Sequence, residues 1–244
     1  MSQRNIIVTG ATSGIGAATV RQLCAGRDRV LAIGRRADRL SELAAETGCD
    51  TLTGDVRDHR ALHDRILTFA PDGLVNNAGA GHGIDGLETA PPETIQLAID
   101  TNVTALLHLS ALVLPGMRAR GRGHIVNIGS IAGLHNGVSA IYGGTKAAVH
   151  MISQNLRMEL RGTPIRVSEI CPGRVSTEFY QAAQGQRETL DQMGKTGITE
   201  LRAQDVADAI AYALNAPAHV NISTIELLPT EQVVGGTNVV SDRS

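Results

Sequence analysis

Short apolar runs alternate with longer amphipathic stretches along most of this chain. The runs fall at residues 5–10 (NIIVTG), 29–34 (RVLAIG), 50–53 (DTLT), 73–76 (GLVN), 124–129 (HIVNIG), 165–170 (IRVSEI) and 224–228 (TIELL). Their length and their Val, Ile and Leu content predict strands. Between them, apolar positions recur at helical spacing near 15–26, 37–47, 58–69, 92–119, 142–161 and 203–215. This alternation predicts βαβ units, and so an α/β fold: a doubly wound, mostly parallel sheet with helices on both faces. No internal repeat and no low-complexity linker interrupts it, so residues 1–244 are expected to form one domain. Residues 172–200 break the rhythm with Gly, Pro, Gln, Thr and scattered charges and no clear strand. A long non-repetitive stretch of this kind is expected to be a substrate lid.

Chemistry enters at the ends of the strands. The first run ends in Thr9-Gly10-Ala11-Thr12-Ser13-Gly14-Ile15-Gly16, and a helical pattern follows at once. Glycines there allow a tight turn and close approach of a pyrophosphate, while a helix N-terminus offers free N–H groups and positive potential. The spacing Gly-x-x-x-Gly-x-Gly differs from the common Gly-x-Gly-x-x-Gly fingerprint. At the end of the second run stand Arg35 and Arg36, with no carboxylate at the tip. A carboxylate there would bind the ribose 2′-hydroxyl of NAD, whereas arginine accommodates the 2′-phosphate of NADP, so the expected cofactor is NADP(H). Asp55-Val56 closes the third run, placed to meet the adenine edge. Asn77, Ala78 and Gly79 follow Asn76 at the end of the fourth, small and polar where a ribose would cross the sheet.

Tyr142 and Lys146 lie four residues apart on a predicted helix, hence on one face. A phenol with pKa near ~10 is a poor proton carrier at neutral pH. A fixed ammonium beside it and a helix N-terminus both favour the phenolate. Bringing the phenol to about pH 7 corresponds to roughly 4 kcal/mol of differential interaction. The pair therefore reads as a general acid/base.

Composition narrows the function classes. A formal net charge of −2 supplies no electrostatic reason to expect nucleic acid or an anionic membrane as partner. Aromatic residues make up 2% of the chain, too few for base-stacking platforms. Cys24, Cys49 and Cys171 show no metal-ligand spacing and read as small buried residues of a reducing compartment; no metal site is expected. The chain enters a strand straight after Met-Ser-Gln-Arg, without a secretory pattern, and no later stretch reads as bilayer-spanning. A cytoplasmic protein is expected.

The motifs TGATSGIG (9–16), NNAG (76–79), Asn102 in IDTNV, IGS ending at Ser130, YGGTK (142–146) and PGRVST (172–177) follow in this order. Together they give the chain a close resemblance to the short-chain dehydrogenase/reductase family over essentially its whole length. The resemblance implies a Rossmann-type fold with a seven-stranded parallel sheet, a nicotinamide cofactor and reversible conversion of an alcohol and its carbonyl. It also implies a homotetramer, or at least a homodimer, built on the helices near 102–119 and 142–161. In its terms Tyr142 exchanges the proton of the substrate oxygen, and Lys146 tunes Tyr142 and bonds the nicotinamide ribose. Ser130 bonds the substrate oxygen, and Asn102 holds a water on a proton path. Pro172, Gly173 and Val175 would hold the carboxamide of nicotinamide, and Thr177 would reach the phosphates. Ser139 reads as a cap for the helix of Tyr142.

The stretch APAHVNISTIELLPT is similar to bacterial NADP-dependent 3-hydroxy acid dehydrogenases, which implies a small polar substrate, a 3-hydroxy acid or another anion. Near the expected pocket stand Gly81, His82, His135, Arg174, Tyr180 and Gln181. Arg174 is expected to bind a carboxylate or sulfonate; the competing reading is a solvated arginine or a salt bridge such as one to Glu178. His82 and Tyr180 are further substrate candidates, and His82 and His135 read equally as pocket wall or surface. The rival functions are reduction of a bulkier ketone or aldehyde, and cofactor binding without turnover.

Overall fold

Strand β1 (Asn5–Thr9) sends Ile6 and Val8 into one core layer and Ile7 into the other, because successive strand side chains alternate. All three are fully buried. The same division runs through β2 (Arg29–Gly34), β4 (Gly73–Asn76), β5 (Gly123–Ile128) and β6 (Ile165–Pro172). With β3 (Asp50–Thr53) and β9 (Thr224–Leu227) they form one sheet in the order β3-β2-β1-β4-β5-β6-β9, every pairing parallel. The computed structural model describes residues 3–83, 87–88, 90–136, 139–179 and 198–233. Tyr180, Gln181 and most of the expected lid lie outside the described residues.

Helices α1 (Gly14–Ala25), α2 (Ala37–Thr47) and α8 (Ala203–Asn215) cover one face through Val20, Leu23, Leu40, Leu43, Val206, Ile210 and Leu214. Helices α3 (His59–Phe69), α5 (Ala105–Arg120) and α7 (Ala140–Glu159) cover the other through Leu62, Ile66, Phe69, Leu109, Val113, Met117 and Leu156. Each large apolar side chain so buried contributes roughly 1.5–3 kcal/mol of transfer free energy. The chain leaves β1 for β2 and β3 on one side and returns to β4 on the other. The carboxyl ends of β1 and β4 therefore flank the crevice where ligands of doubly wound sheets bind.

The expected seven strands and six long helical segments are all present, with three additions. The pattern near 92–119 resolves into α4 (Pro92–Ile99), a π-helical turn (Asp100–Thr104) and α5. A short helix α6 (Ile131–Leu134) follows β5. A two-residue pairing joins β7 (Val175–Ser176) to β8 (Leu201–Arg202), inside and beside the stretch read as strandless. It is too short to leave a periodicity. One expectation is corrected: Pro92–Arg120 spans 29 residues with a mean hydropathy of 1.6 over an 18-residue window, long and apolar enough to cross a bilayer. Its apolarity has a nearer cause, because Leu109, Val113 and Met117 pack on the sheet.

Buried polar groups fix α5 and α7 against the sheet. Asn76 Nδ2 donates to Ser110 Oγ at 3.1 Å and to Asn127 Oδ1 at 2.9 Å. Asn127 Nδ2 donates to Ser153 Oγ at 2.9 Å, and that hydroxyl donates to the Val149 carbonyl. In a dry interior such bonds hold element positions tightly, since breaking one strands its partner.

Candidate active site

A cavity of about 620 Å³ opens at the carboxyl edge of the sheet, over β1 and β4. Its floor is the first βα turn. Gly10 has φ +64°, and a Cβ there would lie 2.9 Å from both Ala78 Cα and Asn77 Nδ2. A Cβ on Gly16 would strike the Gly10 carbonyl oxygen. The two glycines thus leave a shallow trough that any other residue would fill, the shape a pyrophosphate needs. Asn77 stitches the trough to β4: its Nδ2 donates to the carbonyls of Thr9 (2.8 Å) and Gly10 (3.2 Å). Thr9 Oγ1 accepts from the backbone N–H groups of Asn77 and Ala78.

Arginines form the rim beyond β2. Arg35 is exposed and lines the cavity. Arg36 turns its guanidinium onto the glycine-rich turn, donating from Nε and Nη2 to Thr12 Oγ1 at 3.2 and 3.1 Å. Its Nη1 meets Glu178 at 3.0 Å, and Arg39 meets the same carboxylate at 2.8 and 2.9 Å. Asp55 pairs with Arg57 at 2.6 Å, and the hydrogen bonds from that guanidinium hold its carboxyl below the usual range. Val56 packs in the core beneath. His82 lines the cavity; burial lowers its proton affinity, and the charges of Arg35 and Arg57 lower it further. It therefore sits toward the arginine rim.

At the other end of the cavity Ser130, Tyr142 and Lys146 come together from β5 and α7. Ser130 is 8% exposed, and its Oγ accepts from Ala132 N at 3.1 Å, capping α6. Ser139 caps α7, accepting from Tyr142 N at 3.0 Å and donating to the Gly83 carbonyl at 2.8 Å. That cap starts the helix and sets Tyr142 in its first turn. Lys146, one turn on, is 6% exposed and donates to the Ile128 carbonyl at 2.7 Å. Its ammonium stands 6.0 Å from the Tyr142 ring centroid. Burial pulls its pKa from 10.5 down to about 8, against the opposing pull of Cys171 and Glu169.

Asn102 sits in the π-helical turn and is 2% exposed. Its amide donates to the Ala80 carbonyl and Thr145 Oγ1, both at 3.0 Å, and accepts from Ala80 N at 2.8 Å. It braces the NNAG loop against α7. Its Oδ1 and the Lys146 ammonium also face the same open point, lying 3.4 and 3.5 Å from where a Gly79 Cβ would stand.

The wall after β6 is built from Pro172, Gly173, Arg174, Val175 and Thr177. Gln232 Oε1 accepts from Arg174 N at 2.8 Å and crowds Gly173. Arg174 lines the cavity but is 6% exposed, and its Nε pairs with Glu200 at 2.7 Å. The partner envisaged from the sequence, Glu178, is held instead by Arg36 and Arg39. Phe179 leans on Tyr142, ring centroids 5.5 Å apart. His135 lines the cavity and pairs with Glu226 at 2.7 Å. Arg39, Phe179, Glu200 and Gln232 escaped the sequence reading, and Glu178 entered it only as a partner of Arg174. Arg39 alone left a signal there, one turn beyond Arg35 on α2.

A seven-stranded doubly wound sheet with a glycine trough at its switch point and a Ser–Tyr–Lys cluster beside it is a dehydrogenase scaffold. A family model of the short chain dehydrogenases matches residues 4–188. The chain belongs to that family and is an oxidoreductase of CH–OH groups. It is 38% identical to the NADP-dependent 3-hydroxy acid dehydrogenase of Salmonella typhi, covering 96% of this chain and 98% of that one. The serine 3-dehydrogenase of Agrobacterium fabrum is 36% identical, with 96% and 97% covered. Among solved structures, the closed form of a serine dehydrogenase complexed with NADP+ superposes with a TM-score of 0.90 at 38% identity, covering 98% of this chain and 100% of that one.

Proposed function

We propose that this enzyme interconverts a small hydroxy acid, of the 3-hydroxy acid or serine kind, with its carbonyl. The observation that carries the reading is the convergence of Ser130, Tyr142 and Lys146 at one end of a cleft whose other end is a rim of arginines. The cofactor is NADP(H). Gly10, Thr12, Ser13, Gly14, Ile15 and Gly16 would cradle its pyrophosphate, and Arg35 and Arg36 its 2′-phosphate. Asp55 and Val56 would border the adenine, and Asn77, Ala78 and Gly79 the ribose. Pro172, Gly173, Val175 and Thr177 would border the nicotinamide end. When bound, the nicotinamide gives or takes the hydride.

The protein's own work is proton handling and positioning. Tyr142 passes a proton to the carbonyl oxygen in reduction and withdraws it from the hydroxyl in oxidation. Lys146, charged at neutral pH, favours the phenolate form across the turn of helix that separates them. The Ser130 hydroxyl bonds the substrate oxygen and stabilises charge as it develops there. Asn102 and Lys146, flanking Gly79 together, would share a water that returns the proton to solvent. Arg174, already paired with Glu200, would receive the acid group of the substrate by adding a second anion to its fork.

The chain is proposed to act as one domain, in the cytoplasm, as a homotetramer or homodimer. Support for self-association comes from the exposed apolar Leu107 on α5 and Met151 and Met158 on α7, at 46, 53 and 64%. The test is the initial rate at 340 nm with NADPH and NADH across small carbonyls with and without a carboxylate, and the reverse reaction with serine and 3-hydroxy acids. Preference for acidic substrates with NADPH is expected. Preference for neutral or bulky carbonyls would remove the hydroxy-acid reading.

A further inference from the structure

The arginine rim already holds an anion. Glu178 presents both carboxylate oxygens to it: Oε2 to Arg36 Nη1 at 3.0 Å, and Oε1 and Oε2 to Arg39 Nη1 at 2.8 and 2.9 Å. Arg36 is at the same time tied to Thr12 of the glycine-rich turn by Nε and Nη2. Three distant segments meet here: the first βα turn, the start of α2 and the chain just after β7. Thr177, the neighbour of Glu178, lies against that turn too, its Cγ2 3.0 Å from where a Gly14 Cβ would stand. All three partners are more than a third exposed at their side chains, from 38 to 42%. Surface ion pairs contribute little to stability, so this pairing is readily exchanged.

Guanidinium forks bind carboxylate and phosphate by the same paired geometry. A carboxylate lodged on Arg36 and Arg39 therefore occupies the position that suits a phosphate monoester at the tip of β2. We propose that Glu178 is an internal competitor for the 2′-phosphate: NADP(H) must displace it to reach Arg36 and Arg39, and Glu178 thereby sets how strongly the enzyme prefers NADP(H) over NAD(H). Arg35, exposed on the same rim, offers the first contact, and Arg39 joins Arg36 in the cradle once Glu178 leaves. The proposal rests on the reading that this rim is the 2′-phosphate site. It adds Glu178 and Arg39 as residues that determine cofactor selectivity.

The apparent affinity of a site that is open only part of the time is reduced by the open fraction. Removing the carboxylate should recover that loss, about two- to fivefold for an exposed ion pair. The experiment measures dissociation constants of NADPH and NADH by fluorescence titration, and of 2′,5′-ADP and 5′-AMP by calorimetry, at low salt. The proteins are the wild type, Glu178→Gln, Glu178→Ala and Arg36→Ala, with thermal melting as a check on folding. Tighter binding of NADPH and 2′,5′-ADP in both Glu178 variants, with NADH and 5′-AMP within twofold of wild type, is the expected result. Unchanged or weaker NADPH binding in both variants would overturn the proposal; weaker binding would mean that Glu178 pre-orders the arginines. Arg36→Ala separates the two levels. If it loses NADPH preference while the Glu178 variants do nothing, only the competitor idea fails. If it leaves NADPH and NADH unchanged, the rim itself is not the phosphate site.

Discussion

Replacing Lys146 with methionine should abolish turnover and yet leave the fold at neutral pH as stable as wild type or more so. Lys146 is buried, and burial lowers its pKa from 10.5 to about 8. The difference corresponds to roughly 3 kcal/mol spent on keeping an ammonium in the interior. Below pH 8 both the folded and the unfolded chain carry the proton, so the full cost applies. Between about 8 and 10.5 the unfolded chain binds more protons than the folded one, and this group makes stability rise with pH. Above 10.5 both forms are neutral and the cost has gone.

Methionine has a similar length and no charge, and so escapes that cost. It also removes the donor to the Ile128 carbonyl, 2.7 Å away, which costs about 1–3 kcal/mol. At pH 7 the balance is a gain between zero and about 2 kcal/mol, a rise in Tm of up to roughly 6 °C for a chain of this size. Above pH 10 only the lost hydrogen bond remains, and the variant should be the less stable protein. Cofactor-free thermal unfolding from pH 6 to 10.5, followed by circular dichroism, reads the crossing directly. A Tm difference that stays constant across that range would refute the argument, because it would mean that the lysine is not charged at a cost in the folded state.

Three further outcomes are expected. Tyr142→Phe should lower kcat by a factor of about 10³ or more while the NADPH dissociation constant stays within twofold, since only the proton-carrying hydroxyl is lost; weakened NADPH binding would give the ring a structural role instead. Gly16→Ala would drive a methyl group into the Gly10 carbonyl and to 2.6 Å from Asn77 Nδ2. Backbone cannot yield there cheaply, so destabilisation of about 1–3 kcal/mol and loss of NADPH binding in fluorescence titration should appear together. In the reducing direction, kcat/KM should be flat near pH 6–7 and fall about tenfold per pH unit above 8, as Lys146 loses its proton. A profile still flat at pH 9.5 would exclude Lys146 as the group in control.

The element order and the parallel sheet were legible in the local pattern of residues. Strand and helix periodicities are local, and a right-handed βαβ chain has few ways to assemble. Gly10, Asn77 and Ser130 follow the ends of β1, β4 and β5, Tyr142 and Lys146 stand in the first two turns of α7, and the topology brings all five to one cavity. The pairings of side chains across the cavity were not legible there. Glu178 reaches Arg36 across 142 residues and Arg39 across 139, and nothing in the local pattern of either segment distinguishes that carboxylate from Glu200, which takes Arg174 instead. The π-helical turn at Asn102 was equally hidden, because one i→i+5 step leaves the apolar spacing of a helix almost unchanged. So was the packing of the most membrane-like stretch: length and hydropathy measure how apolar Pro92–Arg120 is, and only the sheet beneath it supplies the partner. Contacts between residues far apart in sequence follow from where the topology brings elements together, and a single chain read residue by residue carries no record of that distance.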